Sequence, residues 1–411
     1  MIDNRILKYE NRAQEILFLL IALVFCTPIL TKSYIVLPVC LIGGFYLIRN
    51  LNLLSKQRNV SLYHAIVFFL VIIFGYRLIG YSDAAWGNYL NQLSFYFCML
   101  FMVLLQKGGS PRKMFLWLIF AILVYNIVDN IILGYLYPEI NYARLYQDEN
   151  FMASINGGGP SFYMLILFVF NICFFSFLNC KRKKLRIPLL IVMVLAAVYV
   201  LGFCYKGITV LFLLMSPFVI YMAKRTKRRF SFVIVSGFIV LILVALVELF
   251  SESVIDFIKE YSPNERLTVR LVTLIDDTDA EANTYTVTGR TTLYFLSIKT
   301  WLSSLSNFLI GIGDHRVQFG AAKTGIGQHA DLLDILAIYG LVGLLFIVTI
   351  FKNAFRIILS YFDNDLRFQV SIILMLFVMY GAVEKIFNPP TGLAIFLLLP
   401  LSNVLVNKNK Q

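Results

Sequence analysis

HADLLDILAIYGLVGLLFIVTIF, residues 329–351, decides how this chain is read. From Leu332 to Phe351 the only charged residue is Asp334. At 1.5 Å per residue such a run is long enough to cross the hydrocarbon core of a bilayer as a helix. Just ahead of it stands His329, the side-chain type best suited to taking a proton near neutral pH. Gly340-Leu341-Val342-Gly343 follows inside the run. A long water-facing stretch therefore passes straight into a span through one histidine and two glycines.

The rest of the chain reads as a scaffold of the same kind. It has 411 residues, of which 59% are hydrophobic and 14% charged, and its mean hydropathy is +0.79. A water-soluble protein of this size needs more polar surface, so the composition predicts an all-α polytopic membrane protein. Apolar runs of suitable length number about twelve. They lie near Ile16–Leu30, Tyr34–Ile48, Leu62–Ile79, Ala84–Leu105, Met114–Tyr135, Phe162–Leu178, Ile187–Phe203, Ile208–Ala223, Phe230–Phe250, Leu332–Phe351, Val370–Phe387 and Leu393–Val406. The first has no small-residue cleavage site after it and reads as a retained span.

This divides the chain into three parts. Residues 1–250 carry spans one to nine with an outer loop at 137–159, residues 251–329 form a large outer loop, and residues 330–411 carry spans ten to twelve.

Charge supplies the orientation. With the N-terminus in the cytoplasm, alternate loops collect Arg5/Lys8/Arg12, Arg49/Lys56/Arg58, Lys107/Arg112/Lys113, Lys181 to Lys184 with Arg186, Lys224/Arg225 with Lys227 to Arg229, Lys352/Arg356/Arg367 and Lys408/Lys410. These are 24 of the 36 basic residues, whereas only five of the 23 acidic residues fall on that side. Both termini are then cytoplasmic. The net charge of +13 is a cytoplasmic-leaflet signature and implies no nucleic-acid partner. The six cysteines lie in or at the edges of spans, with no CxxC spacing and none in the large outer loop. They suggest neither a disulfide framework there nor a metal site.

Two outer segments are too long to be simple connectors. Tyr137–Gly159 contains Glu139, Arg144, Asp148, Glu149 and the run Asn156-Gly157-Gly158-Gly159-Pro160. The glycines either wrap backbone N–H groups around an anion or form a flexible lead-in to the next helix, and Pro160 suits its first turn. Ser251–His329 is large enough for a small helical domain. It reads as amphipathic pieces at Val254–Tyr261 and Leu267–Ile275, an acidic turn Asp276-Asp277-Thr278-Asp279, and a helix over Gly289–Leu305. That helix puts Tyr294, Ile298, Trp301, Leu302 and Leu305 on one side, a composition suited to the headgroup level of a membrane. Glycine breaks follow at Gly311-Ile312-Gly313 and Gly325-Ile326-Gly327.

Several side chains have two readings. Arg290, at the start of the amphipathic helix, is either an ordinary surface arginine or a guanidinium gripping a phosphate together with the free helix N–H groups. The Asp276 cluster is a solvated loop or a divalent-ion site. Asp331 and Asp334 complement the N-terminus of their own helix, or one of them orients the His329 imidazole. Among ionisable residues within spans, Arg77 snorkels or serves a site, and Glu384 and Lys385 pair with each other or face a cavity. No GxxxxGK[ST] or Rossmann glycine pattern provides for a nucleotide.

The order Gly289-Arg290, amphipathic helix with Trp301, Gly311-Ile312-Gly313, then His329-x10-Gly340-x2-Gly343 resembles the shared C-terminal region of O-antigen ligases and Wzy-type polysaccharide polymerases. The motif region covers about 55 residues, and the span count and paired outer loops extend the likeness along the chain. The family pattern has Asn, Ser or Gln after the histidine, where this chain has Ala330. The resemblance implies a GT-C-like fold and a metal-independent, cofactor-free glycosyltransferase in the cytoplasmic (inner) membrane. Its donor and acceptor would be glycans linked to undecaprenyl diphosphate, and a flippase and chain-length regulator proteins would work beside it. His329 and Arg290 would be catalytic, with Arg144 beside them; Arg77, Asp331, Asp334 and Glu384, ionisable residues within or at the ends of spans, are the further candidates for the substrate site. A ligase of the same family, a flippase or transporter of the same lipid-linked sugar, and a non-catalytic subunit are the alternatives.

Overall fold

The structure is a computed structural model that describes residues 16, 20, 23–25, 33–49, 57–80, 86–104, 112–136, 160–204, 207–225, 287–313 and 330–406. Among them there are helices and no strand. In chain order the helices are α1 (Ser33–Arg49), α2 (Gln57–Leu78), α3 (Trp86–Leu104), α4 (Arg112–Leu136), α5 (Pro160–Asn179), α6 (Lys183–Phe203) and α7 (Gly207–Arg225). After a gap come α8 (Val287–Trp301), α9 (Leu305–Ile310), α10 (Asp331–Ser360), α11 (Asn364–Gly381) and α12 (Pro389–Val406). Seven of these, α2, α4, α5, α6, α7, α10 and α12, are long and apolar enough to cross a membrane. The chain is a polytopic membrane protein, all-helical among the described residues. The runs expected at Ile16–Leu30, except residues 16, 20 and 23–25, and at Phe230–Phe250 lie outside the described residues.

A helix in lipid must satisfy its own backbone and bury its polar side chains against neighbours. Three interhelical bonds do this for α5, α7 and α11. Ser216 Oγ donates to Asn171 Oδ1 at 2.5 Å, Thr209 and Tyr380 share a 2.7 Å hydroxyl pair, and Asn179 Nδ2 donates to Gln369 Oε1 at 2.9 Å. Such bonds contribute roughly 0.6–2 kcal/mol each between membrane helices. The outer surfaces of the same bundle are apolar, with Leu190, Ile191, Val194 and Val198 exposed on α6 and Leu345 and Val348 on α10. At one end Arg186 donates twice to the Cys180 carbonyl, at 3.0 and 3.1 Å, and Lys224 donates to the Leu178 carbonyl. Both cations sit where a helix C-terminus favours positive charge.

Helix α12 is buried almost throughout, which explains why it is apolar on every side. Pro400 within it has no N–H and its ring would press on the carbonyl four residues back. The turn before it widens over Leu393–Leu398, so that the Leu399 N–H reaches Ala394.

The expected span Val370–Phe387 is corrected. Helix α11 ends at Gly381, and residues 382–388 form a non-helical connection into α12. The cause is Asn388-Pro389-Pro390: a helix running through the prolines would lose two N–H donors and clash with the preceding turn. The prolines instead open α12, and Asn388 Oδ1 caps it by accepting from the Thr391 N–H at 3.0 Å.

Candidate functional site

The site is built on the first turns of α10. Helix α8 packs beside them, held by two ties. Ser297 Oγ donates to Asp334 Oδ1 at 2.8 Å in a buried position, and Tyr294 OH donates to the Val383 carbonyl at 2.8 Å. Val383 precedes Glu384, whose carbonyl accepts from the Asp331 N–H at 3.3 Å. The ties thus advance in the same direction along both helices, with Tyr294 at the level of Asp331 and Ser297 at that of Asp334. Helices α8 and α10 therefore begin at the same end of the assembly. Arg290 belongs to the first turns of α8, one helical turn before Tyr294. Its side chain, all of His329, Arg144 and His315, and the acidic turn at 276–279 lie outside the described residues. Ala330, bonded to His329, is buried and caps α10.

The two aspartates at the start of α10 have separate tasks. Asp334 accepts from the Ala330 N–H through Oδ2 at 3.2 Å, closing the N-terminus of its own helix as expected, and from Ser297 through Oδ1. Asp331 departs from that expectation. Its Oδ2 reaches across to the broken segment and accepts from the N–H groups of Ile386 and Phe387 at 2.5 and 2.6 Å. A non-helical backbone at this depth needs partners for its amides, and Asp331 supplies them. Glu384 is buried in that same segment, so it stands beside the entry of α10 and not within a span helix.

The glycine motifs are partners of each other. Gly340 has φ 63° and ψ −160°, which breaks α10 after Tyr339 and frees the carbonyls of Ala337 and Ile338. The N–H groups of Ile312 and Gly313 take them up at 2.9 and 3.0 Å. The backbones approach so closely that a Cβ on Gly311 would lie 2.2 Å from the Ile338 oxygen, and one on Gly340 2.5 Å from the Leu309 carbonyl. Gly343 leaves room for Tyr339, whose own Cβ would be 2.3 Å from an added one. Tyr76 at the end of α2 donates to the Ile310 carbonyl at 2.7 Å and packs on Tyr339, ring centroids 5.6 Å apart. Arg77 follows it in the last turn of α2, so it stands at the edge of this joint.

The expected helix Gly289–Leu305 is shorter than its apolar pattern. It stops at Trp301, and Ser304 caps a new helix by accepting from the Asn307 N–H at 3.0 Å. Trp301 stacks on Phe308 at 5.0 Å and donates to the Phe308 carbonyl at 3.0 Å. Tyr294, Ile298 and Trp301 are half-buried, while Leu302 and Leu305, beyond the break, are exposed.

Ser297 was not among the expected site residues. The signal was present: it lies between Tyr294 and Trp301 on the packed face of α8, and a polar side chain on such a face calls for a partner. Among the described residues no group of three or more His, Cys, Asp or Glu side chains is gathered to hold a metal ion. No protein-family profile matches this chain, and no curated protein matches it.

Proposed function

We infer that this protein is a polymerase that joins undecaprenyl-diphosphate-linked repeat units into a surface polysaccharide on the outer face of the cytoplasmic membrane. The observation that carries the reading is the shared end of α8 and α10. The helix bearing Arg290 and the helix entered through His329 start together, beside a segment lined by polar backbone. A reaction between a membrane-borne donor and a sugar hydroxyl needs a base and an anion-binding cation within reach of one another. His329 takes the proton of the attacking hydroxyl, whose oxygen forms the new bond to the anomeric carbon. The bond from that carbon to the diphosphate breaks, and Arg290, with Arg144, neutralises the departing undecaprenyl diphosphate. The leaving group comes with the donor, so the step needs neither nucleotide nor metal. In this reading the chain has twelve spans in a GT-C-like arrangement and works beside a flippase and a chain-length regulator.

A second reading, a flippase or transporter of the same lipid-linked sugar, is favoured by one observation. Helix α10 is interrupted at Gly340, and interrupted helices line the binding sites of many transporters. One experiment separates the readings. Purified protein in detergent, given undecaprenyl-diphosphate-linked repeat units extracted from the same cells and no gradient, is expected to build a ladder of longer glycans. Transfer only to a distinct terminal acceptor identifies a ligase. Activity seen only as movement across vesicle membranes identifies a transporter.

The orientation is tested separately. With single cysteines at Asn283 and Thr226 in a cysteine-free background, an impermeant thiol reagent on intact cells is expected to label position 283 and spare 226. The opposite pattern would turn the protein over and move His329 to the cytoplasmic side.

A further inference from the structure

We propose that Asp334 is a positioning residue: through Ser297 and the Ala330 N–H it holds the Arg290-bearing helix in register with the first residues of α10. The inference rests on the polymerase reading for its purpose and on two hydrogen bonds for its substance. The Ala330 N–H that Asp334 Oδ2 accepts belongs to the peptide unit joining His329 to Ala330. The other oxygen takes the Ser297 hydroxyl, two turns along α8 from Arg290. Ser297 and Asp334 are both buried, so water does not replace either bond when it is lost. One carboxylate thereby joins Ala330, the residue that follows the proposed base in the chain, to the helix of the proposed anion-binding cation. Asp331, three residues earlier, spends its Oδ2 on the Ile386 and Phe387 amides and does not duplicate the link.

A positioning role makes a demand that a proton-transfer role does not. The link needs two hydrogen bonds of the right shape and no charge. In Asp334→Asn the amide carbonyl accepts from the Ala330 N–H, while the amide N–H donates to the Ser297 hydroxyl, which then acts as acceptor. In Ser297→Ala the Asp334 oxygen loses the Ser297 hydroxyl and with it the tie to α8. Ser297→Thr restores the hydroxyl.

The test combines two measurements on the full-length protein. Spin labels at Lys299→Cys and Leu345→Cys, both exposed positions on α8 and α10, report the distance between the helices with the native cysteines replaced. The expected result is one narrow distance for wild type, Asp334→Asn and Ser297→Thr, and a broadened or shifted one for Ser297→Ala. Chain growth on extracted undecaprenyl-diphosphate-linked repeat units is expected to show kcat lowered roughly 10–100-fold in Ser297→Ala, as misplacement by about 1 Å produces. Its KM stays within about twofold of wild type, and Asp334→Asn and Ser297→Thr keep at least about a third of kcat with an unmoved pH profile, the pattern of lost alignment with uniform binding retained. An unchanged label distance in Ser297→Ala overturns the proposal whatever the protein's activity. So does an Asp334→Asn variant as slow as His329→Gln with an altered pH profile, which would make Asp334 a proton-transfer group. A wild-type protein that extends no chains overturns the polymerase reading and the purpose of the link, while the label distances still decide whether the link exists.

Discussion

Cells whose only copy of this protein carries His329→Gln are expected to accumulate single lipid-linked repeat units and to make no long glycan. The expectation follows from what a glutamine lacks. It approximates the size of histidine and still forms hydrogen bonds, so a histidine that merely packs or caps is replaced at small cost. Its neutral amide does not accept the proton of an attacking hydroxyl, and removal of a general base costs about 10²–10⁴-fold in rate. His329→Ala is expected to behave alike, with membrane abundance near wild type in both. His315→Ala, in the segment before α10 but not among the matched motif residues, is expected to retain long chains. The measurement is the size ladder of glycan at matched protein levels. Long chains from His329→Gln would remove the base from the mechanism and leave the polymerase reading on the resemblance alone.

The second large effect falls on stability. Gly340→Ala and Gly311→Ala are expected to reduce folded protein severely, each by at least about 3 kcal/mol, since a side chain in a glycine-only backbone region already costs about 1–3 kcal/mol. Here the added carbon also meets backbone at 2.2–2.5 Å, where no side chain can turn aside. Relief requires separating the 311–313 segment from α10, which strands the carbonyls of Ala337 and Ile338. Gly75→Ala is the matched comparison. It lies within α2 with nothing within 4 Å of the added carbon, so it is expected to be neutral or to stabilise by about 0.5–1 kcal/mol. Thermal unfolding in detergent checks all three. A Gly340→Ala protein that melts with wild type would mean that the joint opens freely.

The same joint shows how far the residues speak for themselves. The break at Gly311-Ile312-Gly313 is legible as a break, because glycine is the residue that leaves a helix most cheaply, whereas the run 332–351 reads as one continuous span and its break at Gly340 emerges only in the structure. That they are one structure is not legible. Positions 312 and 337 lie 25 residues apart, and nothing in either motif identifies the other as its hydrogen-bond partner. Asp331 is similar: its place at a helix entry predicts a helix-capping role, yet the N–H groups that donate to it lie 55 and 56 residues onward.

What the sequence by itself determined is the class of the protein and the course of most of its helices. Hydrocarbon leaves a spanning backbone no other way to satisfy its polar groups, so length and apolarity suffice. The helix expected at Phe162–Leu178 runs Pro160–Asn179, opening on the proline as its fixed φ and missing N–H favour. Tertiary structure decided that the 311–313 segment pairs with the break in α10, where Asp331 finds its donors, and which polar groups at the start of α10 are already engaged. Those outcomes depend on partners distant in the chain, such as Ser297 and Asp334, 37 residues apart. A hydrogen bond across such a distance is selected by how helices pack, and helical periodicity records only which face is packed, not what it meets.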